Sequence, residues 1–167
     1  RVLARCYFKL GEWQVAMNEE WVIDETYDVI LSYKRATELD RAWYKAWHAW
    51  ALANFDVITH HERRGEAIPF HEVAASIVPS VQGFFRSIAL ASGNSLQDTL
   101  RLLTLWFKFG HLEHVADAVR QGFGTVSVDT WLGVIPQMIA RISAPSARVR
   151  RLIHHLLGGA GPPHPQA

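Results

Sequence analysis

Apolar residues recur along this chain at spacings of three and four, the period of an amphipathic helix. Leu3, Tyr7 and Leu10 make a short stripe that Gly11 is expected to end, with Glu12 and Trp13 opening a second helix. Val29, Ile30 and Tyr33 belong to a third. Asp40 is placed to cap a fourth, running from Arg41 to about His61. There Trp43, Trp47, Trp50 and Phe55 are interleaved with Ala46, Ala49, Ala51 and Ala53. Large residues alternating with small ones let neighbouring helices approach closely.

Arg63 to Glu66 reads as a polar loop, and Pro69 restarts the chain. A helix from Phe70 to Ala91 follows, with a kink expected at Pro79. Ser92, Gly93 and Asn94 make a turn; Ser95 then stands as an N-cap, with Asp98 three residues on in capping-box position. The helix from Leu96 to Phe109 is apolar on one side through Leu100, Leu103, Trp106 and Phe107, and Gly110 stops it. Two helices are predicted at Leu112 to Gln121 and Val128 to Ile142. Pro145 breaks the pattern, Ser146 to Leu157 forms a last helix, and residues 158–167 read as a Gly/Pro linker. The best strand candidate, Thr125 to Val128, is too isolated to pair.

Lys9-Leu10-Gly11-Glu12-Trp13 is echoed by Lys108-Phe109-Gly110-His111-Leu112, 99 residues later. That separation is close to three units of roughly 33 to 34 residues, the period of tetratricopeptide-type helical hairpins. A hairpin leaves one apolar face bare, and the next hairpin covers it. The expected fold is therefore all-α: tetratricopeptide-like hairpins stacked as an α-solenoid over residues 1–157.

Composition narrows the function. Hydrophobic residues at 49% and charged residues at 20% exclude a disordered chain, and seven Trp with eight Phe imply a core of aromatic plates. A net charge of +1 supplies no field to recruit nucleic acid, so any anion site is local. Cys6 stands alone, which excludes an internal disulfide and suits a reducing compartment. No apolar run is expected to approach the roughly 18 to 20 residues that a membrane span needs. The chain opens at Arg1, already inside an amphipathic pattern, and is expected to be part of something longer.

Catalytic chemistry finds no anchor. His60-His61 and His154-His155 are adjacent pairs that point about 100° apart on a helix, and His111 with His114 lacks a third ligand, so no metal residue is assigned. Gly122-Phe123-Gly124 follows a helix rather than a strand, and no Gly-x-Ser-x-Gly elbow, His-Arg-Asp or Asp-Phe-Gly triplet occurs. Basic residues are more suggestive. Arg41 and Lys45 are four apart on the expected fourth helix, with Lys34 and Arg35 ending the one before. They either converge on a polyanion or lie solvated over the tryptophans. Arg148, Arg150, Arg151 and His154 read as a solvated stretch near a helix C-terminus.

Several of these stretches resemble the FAT region of TOR (target of rapamycin) kinases, a branch of the phosphatidylinositol-3-kinase-related kinases. They include Leu3-Ala4-Arg5-Cys6-Tyr7-Phe8-Lys9-Leu10-Gly11-Glu12-Trp13-Gln14 and Asp40-Arg41-Ala42-Trp43-Tyr44-Lys45-Ala46-Trp47-His48-Ala49-Trp50-Ala51. Val81-Gln82-Gly83-Phe84-Phe85-Arg86-Ser87-Ile88 and Asn94-Ser95-Leu96-Gln97-Asp98-Thr99-Leu100-Arg101-Leu102-Leu103-Thr104-Leu105-Trp106-Phe107 continue the match. Asp129-Thr130-Trp131-Leu132, Arg151-Leu152-Ile153-His154 and His164-Pro165-Gln166-Ala167 extend it, in order, to the end of the chain.

The resemblance implies a non-catalytic scaffold: the C-terminal part of a FAT solenoid that clamps its own kinase domain. Its partners would be that kinase domain, neighbouring FAT repeats and the subunits of a TOR complex in nutrient and growth signalling. ATP and magnesium would belong to the kinase domain, outside this chain. The resemblance also implies a basic pocket for inositol hexakisphosphate, with Arg41 and Lys45 at matching positions. It places the parent kinase in the cytoplasm, peripheral to endomembranes. The short stretch between Phe55 and Val78 points to a fungal or other microbial relative. The alternative is a free-standing tetratricopeptide-type adaptor whose groove captures a peptide.

Overall fold

The computed structural model describes residues 1–91 and 95–141 of the chain, and among them helices are the only regular elements. In order they are α1 (Val2–Met17), α2 (Ile23–Leu39), α3 (Tyr44–Arg63), α4 (Phe70–Glu72), a π-helical turn (Val73–Ile77), α5 (Val78–Leu90), α6 (Leu96–Phe109), α7 (Glu113–Phe123) and α8 (Val128–Arg141). α1 packs on α2, α2 on α3, α3 on α5, and α5 on both α6 and α7. Helices thus pack on the next one along the chain or the next but one, the grammar of stacked hairpins. The expected all-α hairpin architecture is the one observed.

The first stripe is not cut at Gly11. α1 runs unbroken to Met17, and Gly11 is buried inside it against α2. A β-carbon there would lie 2.5 Å from Tyr33 Cε1, so the glycine serves close helix approach rather than a turn. The real turn lies at residues 18–22. The Asn18 side chain accepts from Val22 N–H at 2.7 Å and donates to the Val22 carbonyl at 3.2 Å and to Thr26 Oγ1 at 3.1 Å. Trp21, in this loop, takes the left-handed φ of 50°. Gly110, the echo of Gly11, instead follows α6 as its C-cap. The two copies of the short motif therefore do not mark equivalent positions.

The expected bend at Pro79 takes the form of the π-helical turn immediately before it. A proline ring clashes with the carbonyl four residues back and offers no N–H, and a widened turn relieves both. Contrary to the expectation from the sequence, one run, Phe70–Leu90 with 21 residues, is long and apolar enough to cross a membrane. Its apolar residues are spent on the core instead: Val73, Ile77, Val81, Phe84, Phe85 and Ile88 are all buried. Burying side chains of this size contributes roughly 1.5–3 kcal/mol each.

A second, smaller cluster joins α2 and α3 through Val29, Tyr33, Trp47 and Trp50, with Phe8 of α1 packed against it. The aromatic plates are real, and they meet tilted or edge-on between helices: Phe8 and Tyr33 at 5.4 Å, Phe85 and Phe123 at 5.6 Å, Phe123 and Trp131 at 5.9 Å. Thr125 and Val126 form the turn into α8 rather than a strand. The turn at Ser92–Asn94, the helix at Ser146 to Leu157, the basic stretch near Arg150 and the linker at 158–167 lie outside the described residues.

Candidate functional site

The basic residues singled out in the sequence meet at the corner between α2 and α3. Lys34 and Arg35 stand in the last turns of α2. Arg41 is not on a helix: residues 40–43 form a turn, and α3 begins at Tyr44. Arg41 and Lys45 therefore do not share a helix face; one lies in the turn and the other in the first turn of α3. Both side chains are exposed, and neither makes an ion pair among the described residues. Arg35 is partly committed to Glu38 at 3.7 Å.

The corner is held from below by indoles. Trp47 Nε1 donates to the Arg41 carbonyl at 2.8 Å, which fixes the turn against α3. Arg5 of α1 lays its guanidinium 5.9 Å from the Trp43 ring, bringing a further cation to this end of the stack. Of the described cations at this corner, Arg5 is the one that lies over an aromatic face.

A second polar constellation was missed in the sequence. Asp98 is buried, and its carboxylate gathers three side chains from three helices. Ser87 of α5 donates to Oδ2 at 2.7 Å, His48 Nδ1 of α3 lies 2.8 Å from Oδ2, and Arg101 of α6 donates to Oδ1 at 3.2 Å. Ser95 caps α6 without a side-chain hydrogen bond, so the expected capping box does not form. Asp98 faces inward because it sits four residues before buried Leu102, on the apolar stripe of α6. That position was the available signal. Serine, histidine and aspartate here are not a nucleophile–base pair. The serine hydroxyl points its proton at the carboxylate, the imidazole turns Nδ1 to the same group, and Ser87 is only 1% exposed. The cluster ties α3, α5 and α6 together.

The histidines weighed and set aside in the sequence make local ring contacts. His60 stacks on Trp21 at 4.3 Å, and His114 packs against Phe70 at 5.6 Å. Among the described residues no three His, Cys, Asp or Glu side chains group as a metal set.

Comparison with known proteins decides the family. The FAT domain profile matches residues 1–104. The chain belongs to the FAT domain family. It is similar to the serine/threonine-protein kinase tor1 of Schizosaccharomyces pombe, 48% identical over 165 residues, covering 99% of this chain and 7% of that kinase. The serine/threonine-protein kinase TOR2 of Saccharomyces cerevisiae is 37% identical over 199 residues, covering all of this chain and 8% of its own length. The mTor kinase of Drosophila melanogaster is 41% identical over 184 residues, again across the whole chain and 7% of the relative. The chain thus spans less than a tenth of the length of these relatives.

Proposed function

We propose that this chain is a non-catalytic scaffold segment of a TOR-type protein serine/threonine kinase, which clamps and positions the kinase domain and presents surfaces for complex assembly. The observation that carries the reading is the end-to-end similarity to kinases named for that activity, within a chain that belongs to the FAT domain family. The geometry supports it. A stack in which each helix touches mainly its neighbours shares bending along its length, which suits a restraint on another domain. The outward face of α1 supports it too: Val2, Leu3, Leu10, Trp13 and Met17 are exposed on one side of the helix, an apolar strip suited to covering by another element. The complex works in the cytoplasm, held at endomembranes through its other subunits.

The basic corner fits into this reading as part of a seat for inositol hexakisphosphate, with Arg41 and Lys45 as two of its donors. Such a ligand, bound only by the folded kinase, raises its melting temperature by mass action. The test uses the full-length kinase. Inositol hexakisphosphate raises the melting temperature of the unaltered protein, and the rise is lost in the Arg41→Ala, Lys45→Ala double variant. For the scaffold role itself, chemical cross-linking of the intact kinase places α1 to α8 against the kinase domain; cross-links confined to unrelated proteins would reject it.

A further inference from the structure

α8 is apolar on two sides. One side is in the core: Trp131, Val134 and Ile135 are buried, and the Trp131 ring lies 5.9 Å from Phe123 of α7 and 6.4 Å from Phe85 of α5. The other side is bare. Val128 is 47% exposed, Leu132 58% and Ile139 53%, and Pro136 is exposed between them. At about 100° per residue these four fall within an arc of about 80°, so they form one stripe along the helix. A helix that is apolar beyond its buried side carries surface for a second neighbour.

The chain itself supplies a matching surface. Residues 142–145 separate α8 from Ser146–Leu157, the stretch whose sequence reads as a further helix. On a helix Val149, Leu152, Ile153, Leu156 and Leu157 share an arc of about 140°. Arg148, Arg150, Arg151, His154 and His155 all fall on the opposite side. The segment therefore has one apolar stripe to cover and a basic back that belongs in water.

Register singles out this segment as the occupant. A connection as short as residues 142–145 makes two helices antiparallel neighbours. Counted outward from Ala144, Ile139 and Val149 are both five residues away, Pro136 and Leu152 eight, and Leu132 and Leu156 twelve. A hairpin folded there sets the two apolar stripes opposite each other, pair by pair. The short tether also holds the segment at an effective concentration on the order of mM, which a second copy or a partner from solution has to exceed.

We propose that Ser146–Leu157 folds back as an antiparallel helix onto the Val128, Leu132, Pro136 and Ile139 stripe of α8. Val149 then meets Ile139, Leu152 meets Pro136, and Leu156 meets Leu132. The basic back faces away from the stack, and the chain leaves at Gly158 beside the N-terminal end of α8 rather than beyond its C-terminal end.

The experiment is cysteine pairing in the full-length protein, with linked peptides identified by mass spectrometry after mild oxidation. Leu132→Cys with Leu156→Cys is the test pair, because residues that face each other across packed helices come within disulfide reach. Leu132→Cys with His155→Cys is the control, His155 being adjacent in sequence but turned about 100° around the helix. The expected result is several-fold more linkage in the test pair, all of it within one molecule. Equal linkage in the two pairs would overturn the proposal. So would linkage between two copies, seen as a doubled mass on a non-reducing gel. A second measurement is free of cysteine geometry: Leu132→Asp, on the exposed side of α8, is expected to speed hydrogen exchange in residues 146–157 and leave α7 unchanged. Exchange in 146–157 that ignores this substitution means that something else covers the stripe, and it overturns the proposal as well.

Discussion

Asp98 and His48 are joined across two helices: the carboxylate Oδ2 of α6 lies 2.8 Å from the imidazole Nδ1 of α3. The same oxygen accepts the Ser87 hydroxyl of α5. One buried carboxylate therefore fixes the relative setting of three helices, where apolar packing alone would tolerate sliding. Removing it leaves Ser87 buried without an acceptor. Asp98→Ala is expected to destabilise the chain by about 2–3 kcal/mol, read as the free energy of denaturant unfolding. His48→Ala should cost less, because that side chain is about a third exposed. A double-mutant cycle between the two isolates the coupling; additive effects would contradict the tie.

Gly11 makes a second prediction. The Tyr33 ring, itself buried, occupies the space that a β-carbon at position 11 needs. Gly11→Ala gains helix propensity in α1 but overpacks the α1–α2 seam, and overpacking costs typically 1–3 kcal/mol. The expected outcome is a lowered melting temperature. A raised one would mean that Gly11 is only a weak helix former and that the close approach is slack.

Tyr33 also sets a pH dependence. Burial first, and then the neighbouring Glu12 carboxylate, push its phenol from 10.0 up to about 12. The folded chain thus holds this proton more tightly than the unfolded chain. The stabilising contribution is complete below about pH 10 and is lost as pH rises from about 10 through about 12. Unfolding free energies measured across that window should fall more steeply in the unaltered chain than in Tyr33→Phe. The Tyr33 hydroxyl makes no hydrogen bond among the described residues, so Tyr33→Phe should leave stability at neutral pH almost unchanged.

The bare strip on α1 predicts behaviour in solution. Met17 is 81% exposed, Val2 78% and Trp13 60%. The chain by itself is expected to self-associate through this face, measured as concentration-dependent sedimentation. Leu3→Glu with Trp13→Glu should restore a monomer without lowering the melting temperature. A free adaptor with polar ends would sediment as a monomer without any substitution.

The helical period made the bounds of α6 legible, Leu96 to Phe109 with a glycine behind it, but of the expected stripe Leu100, Leu103, Trp106 and Phe107 only Leu103 is buried, beside Leu102 and Leu105. It failed wherever a residue with a strong local habit was used for packing. Gly11 reads as a stop, yet it is the contact point of two helices. Asp98 stands in capping-box position, yet its side chain answers to Ser87 and His48, which are distant in sequence. Arg41 and Lys45 have helical spacing, but Asp40 to Trp43 turn before the helix starts, so their relation is set by the indole of Trp47 rather than by periodicity. Long-range contacts decide these positions, and a one-dimensional pattern does not carry them. The π-helical turn before Pro79 lies between the cases: proline announces a break, while the surrounding core selects a widened turn over a bend.

The most direct test of a scaffold that restrains a kinase domain is hydrogen–deuterium exchange on the full-length kinase, comparing the unaltered protein with Asp98→Ala. The substitution loosens the join of α3, α5 and α6 without touching a kinase domain. The account predicts faster exchange in these helices and, together with it, in the kinase domain they hold. Faster exchange in the segment beside an unchanged kinase domain would contradict it.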